Sequence, residues 1–171
     1  MTLPKPRDRS GPYRVCVVCL GNICRSPMAE KVLAADLARA GLADAVRVDS
    51  AGTGDWHVGA EMDTRAATTL RVHGYSGPHT ARRFDPSWFA ERDLVLAMDT
   101  DNLAVLRTLA PDGEAEARTL LFRSFTPGIG PNPEVPDPYY GGDDGFTNVL
   151  SMIEAASKGL TTELVALLGT E

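Results

Sequence analysis

The sequence predicts an α/β fold, a parallel sheet with helices on both faces, built as one domain. Short apolar runs alternate with stretches of helical periodicity, the pattern of right-handed strand-helix-strand crossovers. The first run ends in a Gly-Asn-containing loop that opens a helix, and ligands of such sheets bind beyond the carboxyl ends of the strands. No repeat, low-complexity tract or interdomain linker interrupts the 171 residues.

Residues 1–12 carry Lys5, Arg7 and Arg9 against Asp8 alone and read as a flexible basic arm. They lack the apolar stretch and cleavage site of a signal peptide. Residues 13–171 form the single domain. Apolar residues 15–19, short and valine-rich, are the first strand. Residues 27–40 are an amphipathic helix, with Ser26 as its N-cap and Pro27 at the first helical position. The second strand is 46–50 and the next helix 63–73. A short helical turn at 85–90 precedes the third strand, 94–98. A helix at 101–110 leads to the fourth strand, 119–122, and 147–168 is a long closing helix. The one long loop, 127–145, holds five prolines and five glycines. A loop of that length in a compact domain is usually functional.

Composition limits what such a domain does. A 43% hydrophobic and 23% charged chain is globular, and no apolar run approaches the roughly 20 residues that cross a bilayer. Net charge −6 and pI near 5.1 disfavour a nucleic-acid partner. Three cysteines, all within nine residues, are too few and too close for a secreted disulfide framework, so a reducing cytoplasm is expected. His57, His73 and His79 are scattered, and no metal or cofactor is expected. Cys16 and Cys19, three apart in a strand, face opposite sides of the sheet. Cys16 therefore reads as a core thiol, and His57 and His73 as ordinary surface or packing residues.

The chemistry concentrates in Cys19-Leu20-Gly21-Asn22-Ile23-Cys24-Arg25-Ser26-Pro27-Met28. Five residues between Cys19 and Arg25 let the backbone curl so that successive N–H groups cradle a tetrahedral dianion. A free cysteine has a pKa of about 8.5, but inward amides, a helix N-terminus and a guanidinium all favour its thiolate. Cys19 is thus the candidate nucleophile. Arg25 can pair bidentately with two phosphoryl oxygens. Gly21 and Asn22 tolerate the positive φ that a tight anion nest requires, and the Ser26 hydroxyl can donate to the sulfur as it leaves. In the long loop, Asp137 sits between Pro136 and Pro138, which restrict the backbone on both sides. Thiolate attack on a phosphate monoester expels an alkoxide or phenolate, which needs a proton donor on the far side. Asp137 is the candidate acid, and then the base that activates water against the cysteinyl-phosphate.

These residues resemble the low-molecular-weight protein tyrosine phosphatases, in their bacterial branch. Ser50-Ala51-Gly52-Thr53 followed by Trp56, His79-Thr80-Ala81-Arg82, the Met98-Asp99 pair and Asp137-Pro138-Tyr139-Tyr140 stand at that family's further landmarks. The resemblance spans roughly residues 13 to 168. It implies a three-layer α/β/α fold with a four-stranded parallel sheet in the flavodoxin-like order 2-1-3-4. It also implies a cofactor-independent enzyme that hydrolyses phosphotyrosine, with Cys19, Arg25 and Asp137 in the roles above. Leu20, Gly21, Asn22, Ile23, Cys24 and Ser26 would line the phosphate site, and Trp56, Tyr139 and Tyr140 would wall a cleft suited to a phenyl ring. Ser50 and His79 would support Asn22 through hydrogen bonds. Asp99 is expected to stabilise the structure near the loop without being catalytic. The family also implies that Cys24 traps oxidised Cys19 as a reversible disulfide. Partners would be phosphotyrosine-containing signalling proteins, with no nucleic acid or membrane, and the enzyme a monomer or weak dimer.

Three other functions use related loops. Arsenate reductases relay a disulfide through two downstream cysteines, and none follows Cys24. Phosphocarrier subunits of sugar transport lack the arginine and need no Asp137. Phosphoarginine phosphatases carry a small polar threonine at the position of Ile23, so Ile23 favours tyrosine.

Overall fold

The computed structural model describes residues 2–169; Met1, Thr170 and Glu171 lie outside the described residues, as does the side chain of Asp143. Four strands, β1 (Tyr13–Cys19), β2 (Val46–Gly52), β3 (Leu94–Ala97) and β4 (Thr119–Leu121), make one sheet in the order β2-β1-β3-β4. Every pairing is parallel, which is the order 2-1-3-4 expected.

The central strand β1 sorts its side chains by the two-residue period of a pleated strand. Val15, Val17 and Cys19 join one core with residues of α1 (Arg25–Arg39), α2 (Thr64–Val72) and α5 (Asp143–Leu168). Cys16 and Val18 join another, with Phe84, with Phe89 of a 3₁₀ turn (Pro86–Glu91), with Leu106 of α3 (Thr100–Leu109) and with Ala115 of α4 (Gly113–Ala117). The result is three layers. Leu33 and Leu37 of α1 and Ile153, Leu160 and Leu164 of α5 are almost fully buried, each worth about 1.5–3 kcal/mol of transfer free energy. A polar pin fixes the two helices, since Ser157 Oγ donates to Asp36 Oδ2 at 2.6 Å inside the core.

Several boundaries differ from the sequence expectation, each for a local reason. Helix α1 begins at Arg25, with Cys24 at the N-cap and no side-chain cap; Ser26 does not cap because its hydroxyl is turned toward Cys19. Strand β2 runs on to Gly52, because β1 pairs with it in register up to Cys19 opposite Gly52. Strand β4 stops at Leu121, where a second 3₁₀ turn (Phe122–Phe125) begins. The five-residue α4 was not foreseen, and α5 starts at Asp143 rather than residue 147.

The basic N-terminal segment runs without regular structure under the amino ends of the strands, opposite the Cys19 loop. Leu3 is buried. Tyr13 Oη donates to Pro4 O at 2.9 Å, Arg118 Nη1 to Lys5 O at 2.8 Å, and Arg7 N to Asp93 Oδ1 at 2.7 Å.

Candidate active site

Cys19 is the last residue of β1, and the chain leaving it is held by the exit of β2. Thr53 N donates to Cys19 O at 2.9 Å and Gly54 N to Leu20 O at 2.9 Å. Gly52 is required between them, because a Cβ there would sit 2.7 Å from Leu20 O. The loop then turns through Asn22, whose φ of 58° is the left-handed conformation that asparagine tolerates. Gly21 does not share it. Its lack of a side chain serves another purpose, since a Cβ would stand 2.9 Å from His57 Cδ2.

Asn22 is the buried hub behind the loop. Its main-chain N–H points at Cys19 Sγ, 3.3 Å away. Its Nδ2 donates to Ser26 Oγ at 2.8 Å and to Ser50 Oγ at 3.0 Å, while its Oδ1 accepts from Arg82 N at 3.0 Å. Ser50 Oγ in turn donates to Glu30 Oε1 at 2.6 Å. Ser26 Oγ, accepting from Asn22, has its proton left for Cys19 Sγ at 3.0 Å or Ala51 O at 3.3 Å. His79 Nε2 lies 2.6 Å from Asn22 O; a carbonyl only accepts, so this nitrogen carries the proton. Burial pushes the His79 pKa below its ordinary value even though the Asn22 carbonyl favours the cation.

Arg25 is 3% exposed and doubly anchored. Nη1 donates to Asp99 Oδ2 at 2.6 Å and to Val135 O at 3.0 Å, and Nη2 stands 3.6 Å from Asp137 Oδ2. Burial opposes its charge, but Cys19, Asp99 and Asp137 outweigh that and hold its pKa above the ordinary value. Asp99 works in two directions. Its Oδ1 caps α3 by accepting from Asn102 N at 2.7 Å, and its Oδ2 aims the guanidinium.

A cleft of about 310 Å³ descends to Cys19, lined by loop residues Leu20, Gly21, Ile23, Cys24 and Arg25 and by Trp56, His57, Asp137, Tyr139 and Tyr140. Asp137 Oδ1 accepts from Tyr139 N at 3.0 Å, a local turn that fixes its direction. Tyr139 is the wall: its ring tilts against His57 at 6.2 Å, meets Tyr140 edge-on at 5.0 Å and lies under the Arg65 guanidinium at 5.3 Å. Trp56 and Tyr140 form the rim, 71% and 91% exposed. Burial pushes the Cys24 thiol pKa well up, with Asp63 and Cys19 adding to it.

The residues expected at the site are therefore brought together, with Asn22, Ser26, Ser50 and His79 behind the loop and the others on the cleft. Three more went unforeseen. His57 lies on the cleft wall rather than in ordinary packing, and Trp56 beside it was the signal. Glu30 stands one turn after Ser26 on α1, yet its partner Ser50 is on β2, which no spacing reveals. Arg65 reaches Tyr139 from α2. Cys16 is buried on the opposite face of the sheet, as expected. Among the described residues, no cluster of His, Cys, Asp and Glu could hold a metal ion, and no helix is long and apolar enough to cross a membrane.

The chain matches the family model described as low molecular weight phosphotyrosine protein phosphatase over residues 14–167. A low molecular weight protein-tyrosine-phosphatase of Streptomyces coelicolor is 54% identical over 149 residues, 86% of this chain and 91% of that protein. Among solved structures, an Entamoeba histolytica protein tyrosine phosphatase with Hepes in the active site superposes with a TM-score of 0.85 at 35% identity, covering 90% of this chain and 97% of the other. The Drosophila arginine phosphatase superposes with 0.81 at 31% identity, covering 88% and 96%. A Cys-x5-Arg loop closing around a thiol at the end of β1, an Asp-Pro-Tyr-Tyr segment across the cleft and these similarities converge: the chain belongs to the low molecular weight protein-tyrosine phosphatases and is a phosphoric monoester hydrolase.

Proposed function

We propose that this enzyme hydrolyses phosphotyrosine in proteins through a cysteinyl-phosphate, with Cys19 as nucleophile, Arg25 as phosphate clamp and Asp137 as general acid and base. The observation that carries the reading is that Cys19, Arg25 and Asp137 line one cleft, with the Arg25 guanidinium 3.6 Å from the Asp137 carboxylate. The loop amides and Arg25 hold the phosphoryl group over Cys19 Sγ. Sulfur attacks phosphorus in line; the S–P bond forms as the P–O bond to the phenol breaks, and Asp137 gives its proton to the departing oxygen. Water then attacks phosphorus, Asp137 takes a proton from it, and the thiolate leaves, steadied by the Asn22 N–H and the Ser26 hydroxyl. Ser50, Glu30 and His79 act one step back, by fixing Asn22. Tyr139 and His57 supply a flat-sided passage for a phenyl ring, while Ile23 on the same cleft offers an apolar contact in place of the polar side chain that suits phosphoarginine.

Leaving-group chemistry tests the assignment. The phenolate of tyrosine needs protonation as it leaves, whereas p-nitrophenolate leaves with little help. Asp137→Ala should lower kcat/KM, which reports the first chemical step, by about 10²–10⁴-fold for a phosphotyrosine peptide and by much less for p-nitrophenyl phosphate. Equal losses would remove Asp137 from the acid's role. Faster turnover of phosphoarginine than of phosphotyrosine would overturn the substrate class.

A further inference from the structure

We propose that Glu134 is a positioning residue for the general acid: its carboxylate clasps the first turn of α3 and thereby sets Asp137 in register with Arg25. The inference rests on Asp137 acting as the acid. The acid loop, between Phe125 and α5, has no regular secondary structure and is largely exposed. Its course toward Asp137 is nevertheless determined at two adjacent residues. Glu134 Oε2 accepts from Thr100 N at 2.8 Å and from Thr100 Oγ1 at 2.5 Å. Val135, fully buried, donates its N–H to Met98 O at 2.8 Å and accepts Arg25 Nη1 on its carbonyl at 3.0 Å. Arg123 Nη1 adds a third tie, to Glu134 O at 2.9 Å.

The anchoring point matters more than the number of bonds. Thr100 follows Asp99, the residue that aims Arg25, so two carboxylates from distant segments sit on one helix N-terminus: Asp99 on Asn102 N and Glu134 on Thr100 N. Both are placed where a helix favours negative charge. The phosphate clamp and the acid loop thus share one frame, residues 98–100. From Glu134 to Asp137 the chain has only Val135, which is buried, and Pro136, whose φ is fixed, so a shift at residue 134 reaches the Asp137 carboxylate with little slack. The hydrogen bonds from Thr100, with Arg25 nearby, hold the Glu134 pKa below its ordinary value, which keeps the clasp ionised at neutral pH.

A purely structural role, an exposed carboxylate that steadies α3, would change melting temperature without distinguishing substrates. Misplacement of an acid instead costs the substrate that needs its proton. Glu134→Ala should lower kcat/KM for a phosphotyrosine peptide about three- to tenfold while lowering that for p-nitrophenyl phosphate less than about twofold. Thr100→Val, which keeps the main-chain donor and loses the hydroxyl, should show a weaker effect of the same kind, and Thr100→Ser should behave as wild type. The double variant Glu134→Ala/Thr100→Val should be no worse than Glu134→Ala alone, since both remove one interaction. Equal losses on the two substrates, or a lower melting temperature with kinetics unchanged, would overturn the proposal. Asp137→Ala run alongside separates two failures. A substrate split in Asp137→Ala that is absent from Glu134→Ala overturns the role of Glu134 alone; no split in either overturns the acid assignment with it.

Discussion

The Cys19 loop and the Asp137 loop face each other across one cleft and are held in opposite ways. Around Cys19 the core of what fixes position is buried: Asn22, Ser26, Ser50 and Arg25 are each at most 3% exposed, and the Asn22 side chain bonds Ser26, Ser50 and the Arg82 amide. Across the cleft, Glu134, Pro136, Asp137 and Tyr140 are exposed, and a few ties to α3, Arg25 and Arg65 do the holding. The difference follows from what each side does in the proposed mechanism. A cradle for a charged group must present its donors already oriented, because reorientation during the reaction adds to the barrier. In the proposed mechanism a proton donor has to meet leaving groups of differing size, which an exposed carboxylate on a loop anchored from behind at residues 134 and 135 allows. Damage to the buried side should therefore hit every substrate alike, and damage to the exposed side should be graded by leaving group.

The largest test of that contrast is the nucleophile. Cys19→Ser should reduce turnover by about 10⁴-fold or more on any substrate, with the fold intact by circular dichroism, because the Asn22 amide and the Ser26 hydroxyl that meet the side chain there can bond a hydroxyl as well as sulfur. Hydrolysis of p-nitrophenyl phosphate retained by the pure variant would break the covalent mechanism.

Asn22 comes next. Asn22→Ala strips partners from Ser26, Ser50 and the Arg82 amide and leaves a non-glycine residue at φ 58°. Leaving buried polar groups unpaired costs about 1–3 kcal/mol. A similar loss in the transition state is about 10–10²-fold in kcat/KM, shared equally by phosphotyrosine and p-nitrophenyl phosphate. Asn22→Gly relieves the backbone but restores no hydrogen bond, so it should remain as slow. Recovery of activity in the glycine variant would mean that backbone conformation, not the network, sets the loop.

What the sequence made legible divides along the same line. The alternating strands and helices, the parallel sheet, the split of Cys16 and Cys19 to opposite faces and the Cys19–Arg25 loop could all be read because each depends on periodicity or short spacing. Ser26 has the sequence signature of an N-cap without being one, for a physical reason: the Ser-Pro pair carries the ordinary helix-start signal, and only the proximity of Cys19 and Asn22 turns the hydroxyl away from the helix. Glu30, His57 and Arg65 escaped because each acts on a residue 20 or more positions away, through space. The five-residue α4 is too short to show a helical period. Leu3 in the core and Arg7 on Asp93 were hidden in a segment whose composition reads as charge and proline, and whose partners are made by the fold.

Cys24 sits inside the buried loop yet should matter least to turnover. Cys24 lines the same cleft as Cys19, yet burial first, and then the neighbouring Asp63 and Cys19, push its thiol pKa well above the ordinary value. A protonated thiol is a poor nucleophile, so Cys24 should not compete for phosphate. Cys24→Ser, which keeps size and a hydrogen-bonding group, should leave kcat/KM within about twofold of wild type. Its use would appear under oxidation. Peroxide converts Cys19 to a sulfenic acid; Cys24, a slow nucleophile but a neighbour on the same cleft, can lose its proton and condense with it, forming an S–S bond and releasing water, and the disulfide returns to two thiols with a reducing agent. Without Cys24 the sulfenic acid is open to further peroxide and passes to the sulfinic acid, which thiols do not reverse. Treated with peroxide and then dithiothreitol, wild type should regain most of its activity and Cys24→Ser little, with the sulfinic acid on Cys19 visible by mass spectrometry. Equal recovery of the two proteins would leave Cys24 as a packing residue beneath the loop.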